Sequence, residues 1–180
     1  MSPLRSTAMA LILAAIAVTT VSAQGANDRQ IVPGARVGPI SLGMTAGDLY
    51  RTMGEPKSSM SFTDGSFRYE WNEIFVQSDR GGHVTTISPT SGGYTLNPGL
   101  SIGSSELALQ AQRPAPAWVR ASMPFHNSYC YDDGVMIDTA QGQISNITVW
   151  SAGCNGPRGH FTCYTQRGNM TYVGQCRHDG

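Results

Sequence analysis

Gly99-Leu100-Ser101-Ile102-Gly103 has the G-x-S-x-G spacing in which serine hydrolases hold a nucleophile on a tight turn. That chemistry also needs a base and an acid. The candidate bases are His83, His126, His160 and His178, which fall in turn-edge, loop-like or terminal segments and read as solvated surface residues. Asp132-Asp133 pairs two carboxylates, but Gly134 follows directly, which makes it a turn signal first. Cys130, Cys154, Cys163 and Cys176 complete the reactive side chains. None has the paired C-x-x-C spacing of a structural zinc site. No metal site and no cofactor motif is read from the sequence.

The elements around Ser101 argue against catalysis. A nucleophile elbow sits between a buried strand and a helix, above a parallel sheet. A helical run does follow, opening at Ser104 or Ser105 and ending at Pro114. Residues 90–98 (Thr-Ser-Gly-Gly-Tyr-Thr-Leu-Asn-Pro), however, are turn-rich, and the rest of the chain shows meanders rather than βαβ units. The sequence reads as non-catalytic. A small secreted serine hydrolase is the alternative, with fluorophosphonate labelling of Ser101 as its test.

The N-terminus has the plan of a cleavable export signal. Arg5 is a short positive region, Ala8 to Val18 is apolar, and Val21-Ser22-Ala23 is a small-x-small cleavage site. The apolar run is too short to span a bilayer. Residues 1–23 are therefore expected to be removed, leaving no membrane span and a secreted or periplasmic chain. Lys plus Arg and Asp plus Glu both number 12, so the chain offers no electrostatic footprint for nucleic acid. Four cysteines in an exported chain imply two disulfides. The expected pairs are Cys130–Cys154 and Cys163–Cys176, each closing a short loop. The rival set is Cys130–Cys176 with Cys154–Cys163, and four free thiols would instead favour a metal.

Sliding the sequence by sixty places Ile40-Ser41-Leu42-Gly43 over Leu100-Ser101-Ile102-Gly103, and Leu49 over Leu109. Val84 and Ile87 fall over Ile144 and Ile147; with one residue added, Ile74 and Val76 fall over Val135 and Ile137. The fold class expected is α+β: two tandem repeats, each a short helix followed by a three-strand meander, with the helices on one face of an antiparallel sheet. The units span 24–91 and 92–153, and a Cys-rich tail with a disulfide-pinned hairpin spans 154–180. In the first unit, Thr45 caps a helix over 46–53 and Gly54 with Pro56 stops it. Its strands are 67–71, 74–79 and 83–88; those of the second lie near 127–131, 134–139 and 144–150.

Pairing about these turns assigns faces. Tyr69, Trp71, Ile74, Val76 and Ile87 share the helix side with Tyr129, Tyr131, Val135, Ile137, Ile147 and Val149. The other face carries Arg68, Glu70, Phe75, Gln77 and Thr86, then Met136, Asp138, Asn146, Thr148 and Trp150. Phe75, Gln77, Met136, Asn146 and Trp150 form the candidate protein-binding site, because aromatic residues and Met are enriched in interface cores. The competing reading is that residues 114–125 or the tail cover them.

This tandem arrangement resembles the β-lactamase-inhibitor-protein architecture, on Gly43-Met44-Thr45, Gly54-x-Pro56 and the strand spacing. A single unit also resembles the outer-membrane assembly lipoproteins of the BamE (SmpA/OmlA) type. The likeness runs to about residue 153 and implies a non-catalytic role in binding another exported or envelope protein. The lipid-attachment Cys is absent, and the inhibitors' contact loops have no residue-by-residue match, so the resemblance supplies no site residue. A purely structural envelope protein remains a third reading.

Overall fold

The structure, a computed structural model, describes residues 28–151 and the strands at 162–167 and 170–175. The expected signal segment, Cys154, Cys176, His160 and His178 lie outside the described residues. The described part is α+β, mostly antiparallel sheet with two short helices.

Helix α1 (Ala46–Met53) starts because Thr45 and Asp48 form a capping box, the Thr45 hydroxyl accepting from the Asp48 N–H while the Asp48 carboxylate takes the Thr45 N–H. Helix α2 (Glu106–Gln112) starts at Ser105, whose hydroxyl accepts from the Ala108 N–H. Neither helix is long enough to persist alone. Each is held by one fully buried leucine, Leu49 in α1 and Leu109 in α2.

Both helices pack on one large antiparallel sheet. Its strands are β4 (Ser58–Ser61), β5 (Phe67–Glu70), β6 (Ile74–Ser78), β7 (Val84–Pro89), β9 (Trp118–Met123), β10 (His126–Tyr131), β11 (Val135–Ala140) and β12 (Gln143–Trp150). They lie in the order β4-β5-β6-β7-β12-β11-β10-β9. Each half thus contributes four strands, where three are expected from the sequence. The added strands are the two edges, β4 and β9. All four β4 residues are exposed, so no apolar alternation marks it. A small second sheet, also unanticipated, joins β1 (Gln30–Val32), β2 (Arg36–Val37), β3 (Ile40–Ser41) and β8 (Thr95–Leu96), with β8 parallel to β1. It buries Ile31, Val37, Ile40 and Leu96.

Registers follow the turns. Tyr69 faces Val76 and Val76 faces Ile87; Tyr129 faces Ile137 and Ile137 faces Ile147. Every residue assigned to the helix side is buried. Gln141 and Gly142, at φ 53° and 77°, make the two-residue turn with both central residues left-handed that suits a hairpin's twist.

The two halves place backbone hydrogen bonds sixty residues apart. The Gly43 N–H donates to Val84 O and Gly103 to Ile144 O. Ala46 donates to Gly82 O and Glu106 to Gly142 O, while Lys57 donates to Glu70 O and Ala117 to Cys130 O. Even the ladder irregularities match, at Gln77/Ser78 and Asp138/Thr139. The halves meet where β12 runs antiparallel to β7, Val149 opposite Ile87 and Trp150 opposite Thr86. Beside that pairing, Ser88 and Thr148, sixty residues apart, share a hydrogen bond of 3.1 Å.

Strands β13 (Thr162–Arg167) and β14 (Met170–Gln175) pair antiparallel, which places the expected tail hairpin. Cys163 lies opposite Gly174 in that ladder.

Candidate functional site

The candidate surface is the sheet face turned away from the helices. Alternation along each strand dictates its membership, because the neighbours of the buried Ile74, Val76, Ile137 and Ile147 must point the other way. Phe75 and Gln77 come from β6, Met136 from β11, and Asn146 and Trp150 from β12; all five are half-buried.

Two rows organise them. In one, Gln77 faces Thr86 across β6–β7, and Thr86 faces Trp150 across the junction with β12. In the other, Phe75 faces Ser88, Ser88 bonds Thr148, and Thr148 faces Met136. With Asn146 bonded to Thr148 beside the second row, the structure gathers all five expected residues on one continuous face that spans both halves.

Polar side chains lock the second half of this face. Ser128 Oγ donates to Asp138 Oδ1 at 2.6 Å, and Asn146 Nδ2 donates to Asp138 Oδ2 at 3.0 Å. Asn146 Nδ2 also lies 3.1 Å from Thr148 Oγ1, and Thr148 reaches Ser88. The ladder crosses β10, β11, β12 and β7 without a break. The first half has a different device: the Arg68 guanidinium lies 4.0 Å from the Phe75 ring centroid, covering part of its face as a cation–π pair. One half thus offers a guanidinium over an aromatic ring, and the other a carboxylate held by two donors.

The face is not uncovered along its whole length. Cys130, opposite Met136 and on the same side, is fully buried and disulfide-bonded.

Ser101 is not in an elbow above a parallel sheet. Its hydroxyl lies 3.5 Å from Ser104 Oγ, and its N–H donates to that same oxygen at 3.0 Å. Among the described residues, no histidine or carboxylate is hydrogen-bonded to it. No group of three His, Cys, Asp or Glu among the described residues is placed to hold a metal ion. His83 is an exposed neighbour of Asp79, and Asp133 is paired with Arg113 at 2.6 Å. Asn146 and Thr148, which have the N-x-T spacing of a glycosylation acceptor, are both engaged in the ladder just described.

Two sets of residues were missed by the sequence reading. One is a pair of clefts at equivalent places in the two halves, lined by Trp71, Glu73 and Tyr94 in the first and by Arg113, Tyr131 and Asp133 in the second. The signal available was Glu73 over Asp133 and Trp71 over Tyr131 at the sixty-residue offset. The other is Phe125, 78% exposed with φ 67° on the β9–β10 turn. Sixty residues earlier stands Gly65 at φ 83°, so the second half has an exposed aromatic where the first has the residue type suited to that backbone.

No family model and no curated protein matches the chain. Solved structures with partial likeness include an extracellular protein containing an SCP domain from Bacillus anthracis, with TM-score 0.44, 9% identity, 61% of this chain and 43% of that one. A DUF4309 family protein from Bacillus subtilis aligns at TM-score 0.47 and 17% identity, over 69% of this chain and 89% of that one. A cysteine-rich secretory protein from Staphylococcus aureus aligns at TM-score 0.44 and 13% identity, over 79% and 57%. The chain spans about half the length of the first and third of these. Likeness at this level carries no argument about function. No helix among the described residues is long and apolar enough to cross a membrane.

Proposed function

We propose that the chain is an exported, non-catalytic protein-binding module that meets another exported or envelope protein through the sheet face opposite its helices. One observation carries the reading: Phe75, Met136 and Trp150 stand half-buried on a face where Ser88, Ser128, Asp138, Asn146 and Thr148 are bonded to one another in one ladder. A face fixed in this way loses little side-chain entropy on docking, and large apolar groups with satisfied polar neighbours are what interface cores contain. Near-zero net charge fits recognition by shape and apolar contact rather than long-range steering.

Three finer readings belong to the same proposal. The halves are tandem copies of one helix-and-meander unit, supported by the hydrogen bonds that recur at the sixty-residue offset. The disulfides are Cys130–Cys154 and Cys163–Cys176, the second fixing the tail hairpin. Export follows from the signal-like residues 1–23, and the protein-binding role agrees with the resemblance to the inhibitor-protein and assembly-lipoprotein architectures.

The test is capture from an envelope or culture-fluid extract on the immobilised protein. Phe75→Ala and Trp150→Ala should each weaken capture by about 2 kcal/mol, roughly thirtyfold in Kd, while melting stays near that of the parent. Variants that capture normally but melt much lower would show these residues to be core. Capture of nothing by the parent protein would favour a structural envelope role.

A further inference from the structure

The cleft of the first half lies on the helix side of the sheet, away from the proposed binding face. Trp71 and Tyr94 are buried side chains of its wall, Met53 closes it from the end of α1, and Glu73 stands at its rim. Its volume is about 340 Å³. A guanidinium already sits against it. Arg29 Nη1 lies 2.6 Å from Glu73 Oε2, and the guanidinium carbon is 5.3 Å from the centroid of the Tyr94 ring. The guanidinium passes close to Gly93, where a Cβ would come within 2.4 Å of Arg29 Nη1 and push it aside.

The second half shows what a permanent version looks like. There Arg113, at the end of α2, lies 4.2 Å from the Tyr131 ring centroid and pairs with Asp133. Its side chain is only 14% exposed. In the first half Met53 occupies the place sixty residues before Arg113, so no helix residue supplies the cation. Arg29 arrives from before the first strand, and its side chain is 49% exposed. An exposed ion pair of this kind is weak and readily exchanged.

We propose that the first-half cleft is a binding site for an arginine side chain of a partner protein, and that Arg29 occupies it as an exchangeable placeholder. The chemistry is a carboxylate facing a guanidinium that also lies over an aromatic ring, which favours arginine over lysine. The reading does not depend on the open sheet face and extends recognition to a second surface.

The probe is N-acetyl-arginine methylamide, followed by the indole N–H resonance of Trp71, which donates to Gly54 O at 3.2 Å beside the cleft. Arg29→Ala should bind it saturably and up to about fivefold tighter than the parent, because the weak pair with Arg29 competes for the site in the parent. Arg29→Gln serves the same purpose if the alanine variant loses its dispersed spectrum. The lysine analogue should bind more weakly, and Glu73→Gln added to Arg29→Ala should abolish the shift. No saturable shift in either Arg29 variant, equal binding of the lysine analogue, or binding that survives Glu73→Gln would each overturn the proposal.

Discussion

The two halves dock their helices with the same backbone bonds and different side-chain chemistry. In the first, aromatic packing does the work: Tyr50 of α1 meets Tyr69 edge-on at 6.0 Å, and Tyr69 is flanked by Phe67 and Trp71. In the second, Glu106 of α2 accepts from Tyr129 and from Asn127, and Gln110 donates to the Tyr129 hydroxyl at 3.0 Å. Both helices end alike. Trp71 donates to Gly54 O and Tyr131 to Arg113 O, so a ring on the core face of the sheet takes up a carbonyl at each helix end. The difference teaches that geometry here is set by turns, caps and one buried leucine, while the contact between helix and sheet is free to be apolar or polar.

That separation gives its own tests, and the leucines come first. Leu49→Ala and Leu109→Ala should each cost about 2–5 kcal/mol, since both side chains are fully buried. Values that differ widely between the halves would break the equivalence. Denaturant unfolding of each variant measures it.

Next is the contact between the halves at Gly134. A Cβ there would meet Trp150 O at 2.5 Å and Gly34 Cα at 2.7 Å, with φ at 86°. Gly142 has φ 77° and open space around it. Gly142→Ala should cost about 1–2 kcal/mol for the left-handed backbone alone. Gly134→Ala should cost about 1–3 kcal/mol more, because backbone must move. Equal losses would mean that the close approach contributes nothing.

The polar docking of α2 should be sensitive to acid through Glu106. The Tyr129 hydroxyl, with Asn127 and Thr139 adding to it, holds the Glu106 carboxyl below its ordinary value against a smaller opposing effect of burial. With the folded pKa depressed, the unfolded chain binds more protons in this range. The contribution is full above the ordinary carboxylate value near 4.5 and is lost as pH falls through the lower folded value. Melting of the parent protein should therefore drop more steeply below about pH 4.5 than that of Glu106→Gln. Parallel curves would contradict the assigned role of this carboxylate.

The smallest effect is expected at the β9–β10 turn. Phe125→Gly relieves about 1–2 kcal/mol of left-handed strain and gives back about 0.5–1 in chain entropy. The net gain should be at most about 1.5 kcal/mol, with little burial lost from a mostly exposed ring. A clear destabilisation would show that the ring is held by a contact after all.

Much of this was legible in the sequence, because strict alternation and two-residue turns fix a register. Phe67 to Trp71 and Val135 to Ala140 announce both their strands and their faces. The edges were not legible. Ser58 to Ser61 have no buried member, so nothing in their pattern distinguishes a strand from a loop. Strands of two or three residues, such as β2, β3 and β8, are too short to show a period. The membership of the candidate face could be read from alternation, but its hydrogen-bonded ladder could not. Ser88 meets Thr148 only because β7 and β12 pair, a contact between distant segments that no local spacing reveals. The Arg29–Glu73 clasp was hidden for the same reason.

The central claim is that partner binding uses the sheet face and not the other exposed apolar groups. Hydroxyl-radical footprinting of the protein, free and with its captured partner, tests it most directly. The account predicts protection of Phe75, Met136 and Trp150, with Met60 and Phe125 unchanged. Protection of Met60 or Phe125 while the three face residues stay as reactive as in the free protein would contradict it.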